Sequence, residues 1–268
     1  MTGQSAVADT PLRAAVFAAD NVAVHFGGIR AVDGVTFELG GGRIFGILGP
    51  NGSGKSTLLA AMTGLVRLTA GKFMFDGECY RGRPAARIAR SGVARTFQTA
   101  RLVPGLTVLE NVQLAADQHW ASRGEQLRRG LGVRGAAGTS DQVRSALERT
   151  SLVGLERMRP GELPYGTQRR VEIARAIAAQ PKLLLLDEPT AGMNKNERSE
   201  ISELLKSLRA EGLTQLLVEH DVDMMVNTCD FLLAMNFGQI IARGAPREVV
   251  HDPQVREAYL GRRGARDA

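Results

Sequence analysis

The chain has 268 residues, 44% hydrophobic and 23% charged, so it can bury one sizeable core. Its two cysteines, Cys79 and Cys229, lie far apart without metal-ligand spacing, and no apolar run reaches the ~18 residues of a membrane-spanning helix; both facts fit a cytoplasmic, disulfide-free protein. The net charge of +6 raises the question of nucleic acid, but the densest arginine groups (Arg81, Arg83, Arg87, Arg90 and Arg262, Arg263, Arg266) are short and carry no interleaved aromatics, so a solvated basic surface with no nucleic-acid partner is expected.

Residues 1–14 are small and polar and read as a loose tail; they lack the basic and apolar regions of a signal peptide. From Val16 the pattern becomes strand-like: "VFAADNVAVHF", a turn at Gly27-Gly28, then "VDGVTFEL". Gly40-Gly41-Gly42 marks a turn before the short buried strand "RIFGIL". A glycine loop follows, then a helix over Ser56–Val66 with Leu58, Leu59, Met62 and Leu65 on one face. "KFMFDGECY" reads as a hairpin turning at Asp76-Gly77.

Between Thr99 and Glu162 the apolar spacing is helical ("TVLENVQLAADQHW", "DQVRSALERTSLVGL"), interrupted by the Gly- and Arg-rich "RGEQLRRGLGVRGAAGTS", which reads as a loop or a poorly packed insertion. The helix "TQRRVEIARAIAAQ" and the strand "KLLLLDEP" come next. A helix from about Glu197 turns Ile201, Leu204, Leu205 and Leu208 inward and ends near Gly212. "TQLLVEH" is a further strand, and "FLLAMNFGQIIARG" a hairpin turning at Asn236–Gly238. Strands alternating with helices imply an α/β fold with a mostly parallel sheet, an N-terminal antiparallel β subdomain and an inserted helical subdomain. The expected division is 15–98 plus 166–250 for the core, 99–165 for the helical subdomain, and 251–268 for a C-terminal tail.

The stretch Gly49–Thr57, "GPNGSGKST", fits the phosphate-binding P-loop between a strand and a helix. Gly49, Gly52 and Gly54, with Pro50, Asn51 and Ser53 between them, let backbone N–H groups turn inward on phosphate oxygens, aided by the positive end of the helix. Lys55 supplies charge to the β and γ phosphates, Ser56 a hydroxyl for Mg²⁺, and Thr57 closes the motif. In "LLLLDEP", Asp187 emerges at a strand's carboxyl end, suited to hold Mg²⁺ through water, and Glu188 follows as general base for the attacking water. These residues alone imply a nucleoside triphosphate with Mg²⁺, which the family resemblance carried by the following motifs narrows to ATP and Mg²⁺ as the expected cofactors.

In this order, "GPNGSGKST", "RTFQ", "LPYGTQRRVEIARAI", "LLLLDEPTAGM" and "LLVEHD" resemble the ATP-binding subunit of an ABC transporter over about residues 16–262. The resemblance implies a P-loop NTPase core and further roles. Phe26 would stack on adenine, and Gln98 would touch Mg²⁺ or water and couple the core to the helical region. His220 would contact the γ-phosphate. Tyr165 and Gly166, in the signature segment of one subunit, would cap the nucleotide bound to another. That segment departs from the family's Leu-Ser-Gly-Gly-Gln: Pro164 removes a hydroxyl and an N–H, and Thr167 replaces the usual glutamine. Asn194 stands where the loop after the acidic strand usually carries aspartate.

"FGGIRAVDGVTF", "TFQTARLVPGLTVLENV" with its long insertion, and "PREVVHDPQVREAYLG" are similar to the branched-chain amino acid importer subfamily, including its urea and amide relatives. The partners so implied are membrane permease subunits, a second ATP-binding subunit or a second copy of this chain, and indirectly a solute-binding protein. The chain would sit on the cytoplasmic face of the membrane, with permease docking around Gln98 and the following "TARLVPGLTV", including Leu102 and Leu106. Other readings are a lipid or lipopolysaccharide exporter ATPase, a soluble ABC ATPase acting on nucleic acid, and a regulatory module that holds ATP without hydrolysing it. The long insertion, the single P-loop, and the presence of Glu188 and His220 argue against these in turn.

Overall fold

The computed structural model describes residues 15–96, 101–120 and 141–260. The chain runs β1 (Ala15–Phe26), β2 (Ile29–Gly40), β3 (Ile44–Leu48), α1 (Lys55–Met62), β4 (Ala70–Phe75), β5 (Glu78–Cys79), α2 (Ala85–Arg90) and β6 (Val93–Arg95). The helical region contributes α3 (Val108–Trp120), α4 (Asp141–Arg149), a 3-10 turn at Pro160–Glu162 and α5 (Tyr165–Ala178). Then come β7 (Leu183–Asp187), α6 (Lys195–Ala210), β8 (Thr214–Val218), α7 (Val222–Thr228), β9 (Phe231–Asn236), β10 (Gln239–Gly244), α8 (Pro246–His251) and α9 (Pro253–Leu260). The Gly- and Arg-rich insertion and Gln98 lie outside the described residues.

Two sheets organise these elements. One is antiparallel, in the order β2-β1-β4-β5; the other has the order β10-β9-β3-β8-β7-β6. In the larger sheet every pairing is parallel except β10 with β9. Its central strands are apolar on both faces because each face is covered. Leu184 and Leu186 of β7 enter the core shared with the helices, while Leu183 and Leu185 enter the core shared with the antiparallel sheet and α1. The continuous Leu183–Leu186 run is the sequence signature of that double burial.

Turn chemistry agrees with the hairpins. Asp76 and Gly77 have φ of 51° and 79°, and Phe237 and Gly238 have 45° and 79°, positive at both central positions as two-residue hairpin loops demand. Near the helical region, Asn111 is fully buried and saturated: its Oδ1 accepts from the Val103 amide at 2.8 Å, and its Nδ2 donates to the Val103, Leu106 and Thr107 carbonyls. That side chain fixes the loop entering α3, where Leu102 packs against the core.

The helix after the glycine loop is shorter than its periodicity suggests. It stops at Met62 because Gly64 turns left-handed (φ 71°) and the Thr63 hydroxyl bonds back to the Leu59 carbonyl at 3.0 Å, so Leu65 is exposed. The strand expected over 214–220 ends at Val218, which releases Glu219 and His220 into a loop. α2, β6 and α7 have no sequence-based counterpart. They are short, and α2 buries only Ile88, too little to show a period.

Candidate nucleotide-binding site

The P-loop leaves β3 and enters α1. A Cβ on Gly49 would lie 2.3 Å from the Met235 carbonyl oxygen, and one on Gly54 (φ +104°) 2.2 Å from that of Ala31, so both positions require glycine. The loop is closed by the Ser53 amide on the Pro50 carbonyl at 3.1 Å and tied to the β9–β10 turn by the Gly238 amide on the Ser53 carbonyl at 3.0 Å. Lys55 is buried, its Nζ donating to the Gly49 and Pro50 carbonyls at 2.6 and 2.9 Å, which fixes its charge within the loop. No acidic residue or side-chain cap offsets the N-terminus of α1, leaving the positive end of the helix open to an anion.

Strand order then brings the acidic groups alongside. β3, β8 and β7 are parallel neighbours, so the P-loop, the Glu219–His220 loop and the Asp187–Glu188 corner all leave the carboxyl ends of adjacent strands. A cleft of about 650 Å³ is lined by P-loop residues, Ser56, Thr57, Glu188, His220 and Tyr259. Glu188 is left-handed (φ 45°), a conformation seldom adopted by a non-glycine residue, and its amide is anchored on the Val218 carbonyl at 2.9 Å. His220 Nδ1 stands 4.0 Å from Glu188 Oε2 and 3.7 Å from Glu219 Oε2.

Three residues of this neighbourhood escaped the sequence reading. Arg95, on β6, donates to Asp187 Oδ2 at 2.8 Å and to the Thr63 hydroxyl at 3.4 Å. Glu219 is fully buried and accepts from the Thr190 amide at 2.9 Å and the Thr190 hydroxyl at 2.6 Å, clamping the chain beyond Glu188 to the Glu219–His220 loop. Tyr259, on α9, reaches the P-loop cleft from the far end of the chain. For Glu219 a signal existed: a carboxylate directly after the apolar run Leu216–Val218, beside a candidate histidine. Arg95 and Tyr259 had none.

Other expected site residues are placed elsewhere. Phe26 ends β1 with half its surface exposed, outside the residues lining the cleft. Tyr165 and Gly166 start α5, also outside the lining of this chain's own cleft. Pro164 is the N-cap of α5 and provides no side-chain cap bond. The Tyr165 ring lies under the Arg169 guanidinium at 5.9 Å, and Arg169 itself pairs with Glu172 at 2.5 Å, fully buried. Asn194 caps α6: its side chain accepts from the Asn196 and Glu197 amides, while the Glu197 carboxylate accepts from the Asn194 amide at 3.0 Å. Asparagine thus supplies the capping that an aspartate would give there.

Asp187 Oδ1 is buried and without a hydrogen-bond partner, while Oδ2 is held by Arg95. An orphaned carboxylate oxygen suits a hard divalent cation, as does the Ser56 hydroxyl, which lines the cleft while Asp187 does not. Among the described residues no cluster of three or more His, Cys, Asp or Glu could hold a metal, so such a cation would complete its shell with phosphate and water.

A glycine loop between strand and helix, with carboxylates and a histidine at the ends of adjacent parallel strands, defines a P-loop nucleotide-binding ATPase. Residues 32–191 match the ABC transporter family, and the chain belongs to it. Residues 239–265 match a second family, the branched-chain amino acid ATP-binding cassette transporter. The high-affinity branched-chain amino acid transport ATP-binding protein LivG of Salmonella typhimurium is 38% identical over 256 residues, covering 92% of this chain and 98% of that protein. BraF of Pseudomonas aeruginosa, described in the same words, is 36% identical over 89% of this chain and 94% of its own. The solved ADP conformation of an ATP-binding cassette of an ABC transporter superposes with a TM-score of 0.81 at 33% identity, covering 92% of this chain and 99% of that one.

Proposed function

We propose that this chain is the ATP-hydrolysing subunit of an importer for branched-chain amino acids, acting on the cytoplasmic face of the membrane. The observation that carries the reading is the cleft in which Glu188 and His220 face the P-loop. The match of residues 239–265 to the branched-chain amino acid cassette family supports the substrate class.

In this reading the P-loop amides and Lys55 hold the β and γ phosphates of ATP, and Phe26 stacks on the base. Ser56, Asp187 and Gln98 hold Mg²⁺, which supplies charge neutralisation on the phosphates. Glu188 accepts the proton of the attacking water, and His220 donates to the γ-phosphate. The clamp of Glu219 on Thr190 keeps these two side chains in one geometry.

Tyr165 and Gly166 lie at a helix N-terminus outside this chain's own cleft, which supports their closing on nucleotide held by a second ATP-binding subunit or a second copy. No helix among the described residues is long and apolar enough to cross a membrane, so transport requires permease partners. A groove of about 400 Å³, lined by Leu65, Ile88, Val93, Leu114 and Ala176, lies between α2 and the helical region. The permease would dock around Gln98 and the following segment 99–108, none of whose residues line this groove. A solute-binding protein would act through the permeases.

The test is Glu188→Gln in the transporter reconstituted with its permeases. ATP turnover and transport are expected to disappear while MgATP binding persists; full turnover in that variant discards the base.

A further inference from the structure

The arginines on and before α2 are left unused by the ATPase reading. Arg67, Arg81, Arg87 and Arg90 are exposed, and their side chains enter no ion pair or hydrogen bond among the described residues. The acids of the same stretch are already engaged: Asp76 pairs with Lys182, Glu78 accepts from Arg83 at 3.0 Å, and residues 64–95 contain no other carboxylate. The fold gathers these groups on one surface. The Tyr80 hydroxyl donates to the Met62 carbonyl at 2.9 Å, and a Cβ on Gly64 would stand 3.0 Å from the Arg83 carbonyl oxygen and 2.7 Å from Ile88 Cδ1. Leu65 and Arg67 are thereby set beside α2, and Leu65 is 57% exposed. Arg87 and Arg90 lie one turn apart on α2, whose buried side carries Ile88.

Unpaired like charges held together repel one another, and an anionic partner relieves that repulsion. Bases are a poor fit, because Phe73, Phe75 and Tyr80, the aromatics of this stretch, are all buried. An array of phosphate headgroups fits: it needs no stacking platform, and it takes an exposed leucine at its apolar boundary. We propose that this surface binds anionic lipid, with Arg67, Arg81, Arg87 and Arg90 on headgroup phosphates and Leu65 at the acyl boundary. α2 leads through β6 to Gln98, so the lipid contact flanks the segment assigned to the permease. The proposal rests on the placing of this chain at the cytoplasmic face of the membrane.

The experiment is co-sedimentation of the full-length chain with vesicles of phosphatidylcholine alone or mixed equally with phosphatidylglycerol, at physiological salt. Binding is expected only to the mixed vesicles and should vanish at high salt. Each arginine at an anionic surface contributes about fivefold, so Arg81→Gln/Arg87→Gln/Arg90→Gln should bind on the order of a hundredfold more weakly. Its melting temperature and MgATP affinity should match wild type, since these exposed side chains hold no partner. Arg243→Gln/Arg247→Gln/Arg256→Gln removes the same charge from exposed positions elsewhere and should keep vesicle binding within about threefold. Equal losses in the two variants overturn the proposal, since net charge alone would then govern binding. So does retained vesicle binding with weakened assembly on detergent-solubilised permeases, which would give the surface to a protein partner. Wild type that ignores the mixed vesicles yet assembles with permeases overturns the lipid contact and leaves the importer reading standing. Vesicle binding without permease assembly keeps the lipid contact and overturns the importer reading.

Discussion

Arg95→Met isolates the link between β6 and the acidic corner. The Arg95 and Asp187 side chains are 11% and 6% exposed, with the guanidinium 2.8 Å from Oδ2. Methionine keeps the length and apolar body of the side chain but leaves the Asp187 carboxylate buried with neither oxygen compensated. Removing one partner of a buried pair costs about 3–5 kcal/mol. At ~2–4 °C per kcal/mol for a chain of this size, the melting temperature should fall on the order of 10 °C. The assay is thermal unfolding of wild type, Arg95→Met, Asp187→Asn and the double variant. The double variant should recover most of the loss, because it removes the stranded charge rather than the pair. Bound MgATP should raise the melting temperature more in Arg95→Met than in wild type, since it brings a countercharge to the same carboxylate. A fall of less than about 2 °C, or no recovery in the double variant, refutes the assignment of a stabilising pair there.

Pro164→Ser restores a hydroxyl and an N–H to the turn before α5, and ATP turnover in the transporter should rise; an unchanged or lower rate counts against a weakened cap as the reason for the departure. Burial alone would raise the Asp221 carboxyl, but the Met224 amide and the Arg198 guanidinium outweigh it and hold it below the ordinary 3.8. Its contribution to stability is therefore complete above that value and lost as the pH falls through the lower folded value. Asp221→Asn keeps an N-cap while removing the charge, so urea midpoints should differ from wild type at about pH 7 and converge as the pH falls below the folded value. A constant gap would place the effect in packing.

What could be read from the sequence was local. The glycine loop, the Asp76-Gly77 turn and the four-leucine strand each carry their reason within a few residues. Their strand–loop–helix order then fixed the core of the fold. The inserted helical region was legible in its apolar spacing; the resemblance added the positions of Gln98, His220 and Tyr165, which no local pattern singles out. Contacts between distant segments were not legible. Arg95 meets Asp187 because β6 pairs with β7 in register, with Arg95 opposite Leu185, and Tyr259 meets the P-loop only after α8 and α9 fold back over β9 and β10. Leu65 misled for the converse reason: its helical spacing is right, but Gly64 ends the helix before it can be buried. The acidic corner shows the same limit, for the residue type predicted a metal carboxylate and said nothing of the arginine that holds half of it.

The central claim is that the cleft between the P-loop and Glu188 takes ATP with magnesium. Calorimetric titration of MgATP into Glu188→Gln protein tests it most directly, with chelated magnesium and with Lys55→Ala as controls. Saturable binding that is weakened by chelation and lost with Lys55 is the predicted result. Heat that does not saturate, or binding indifferent to Lys55, would contradict the account.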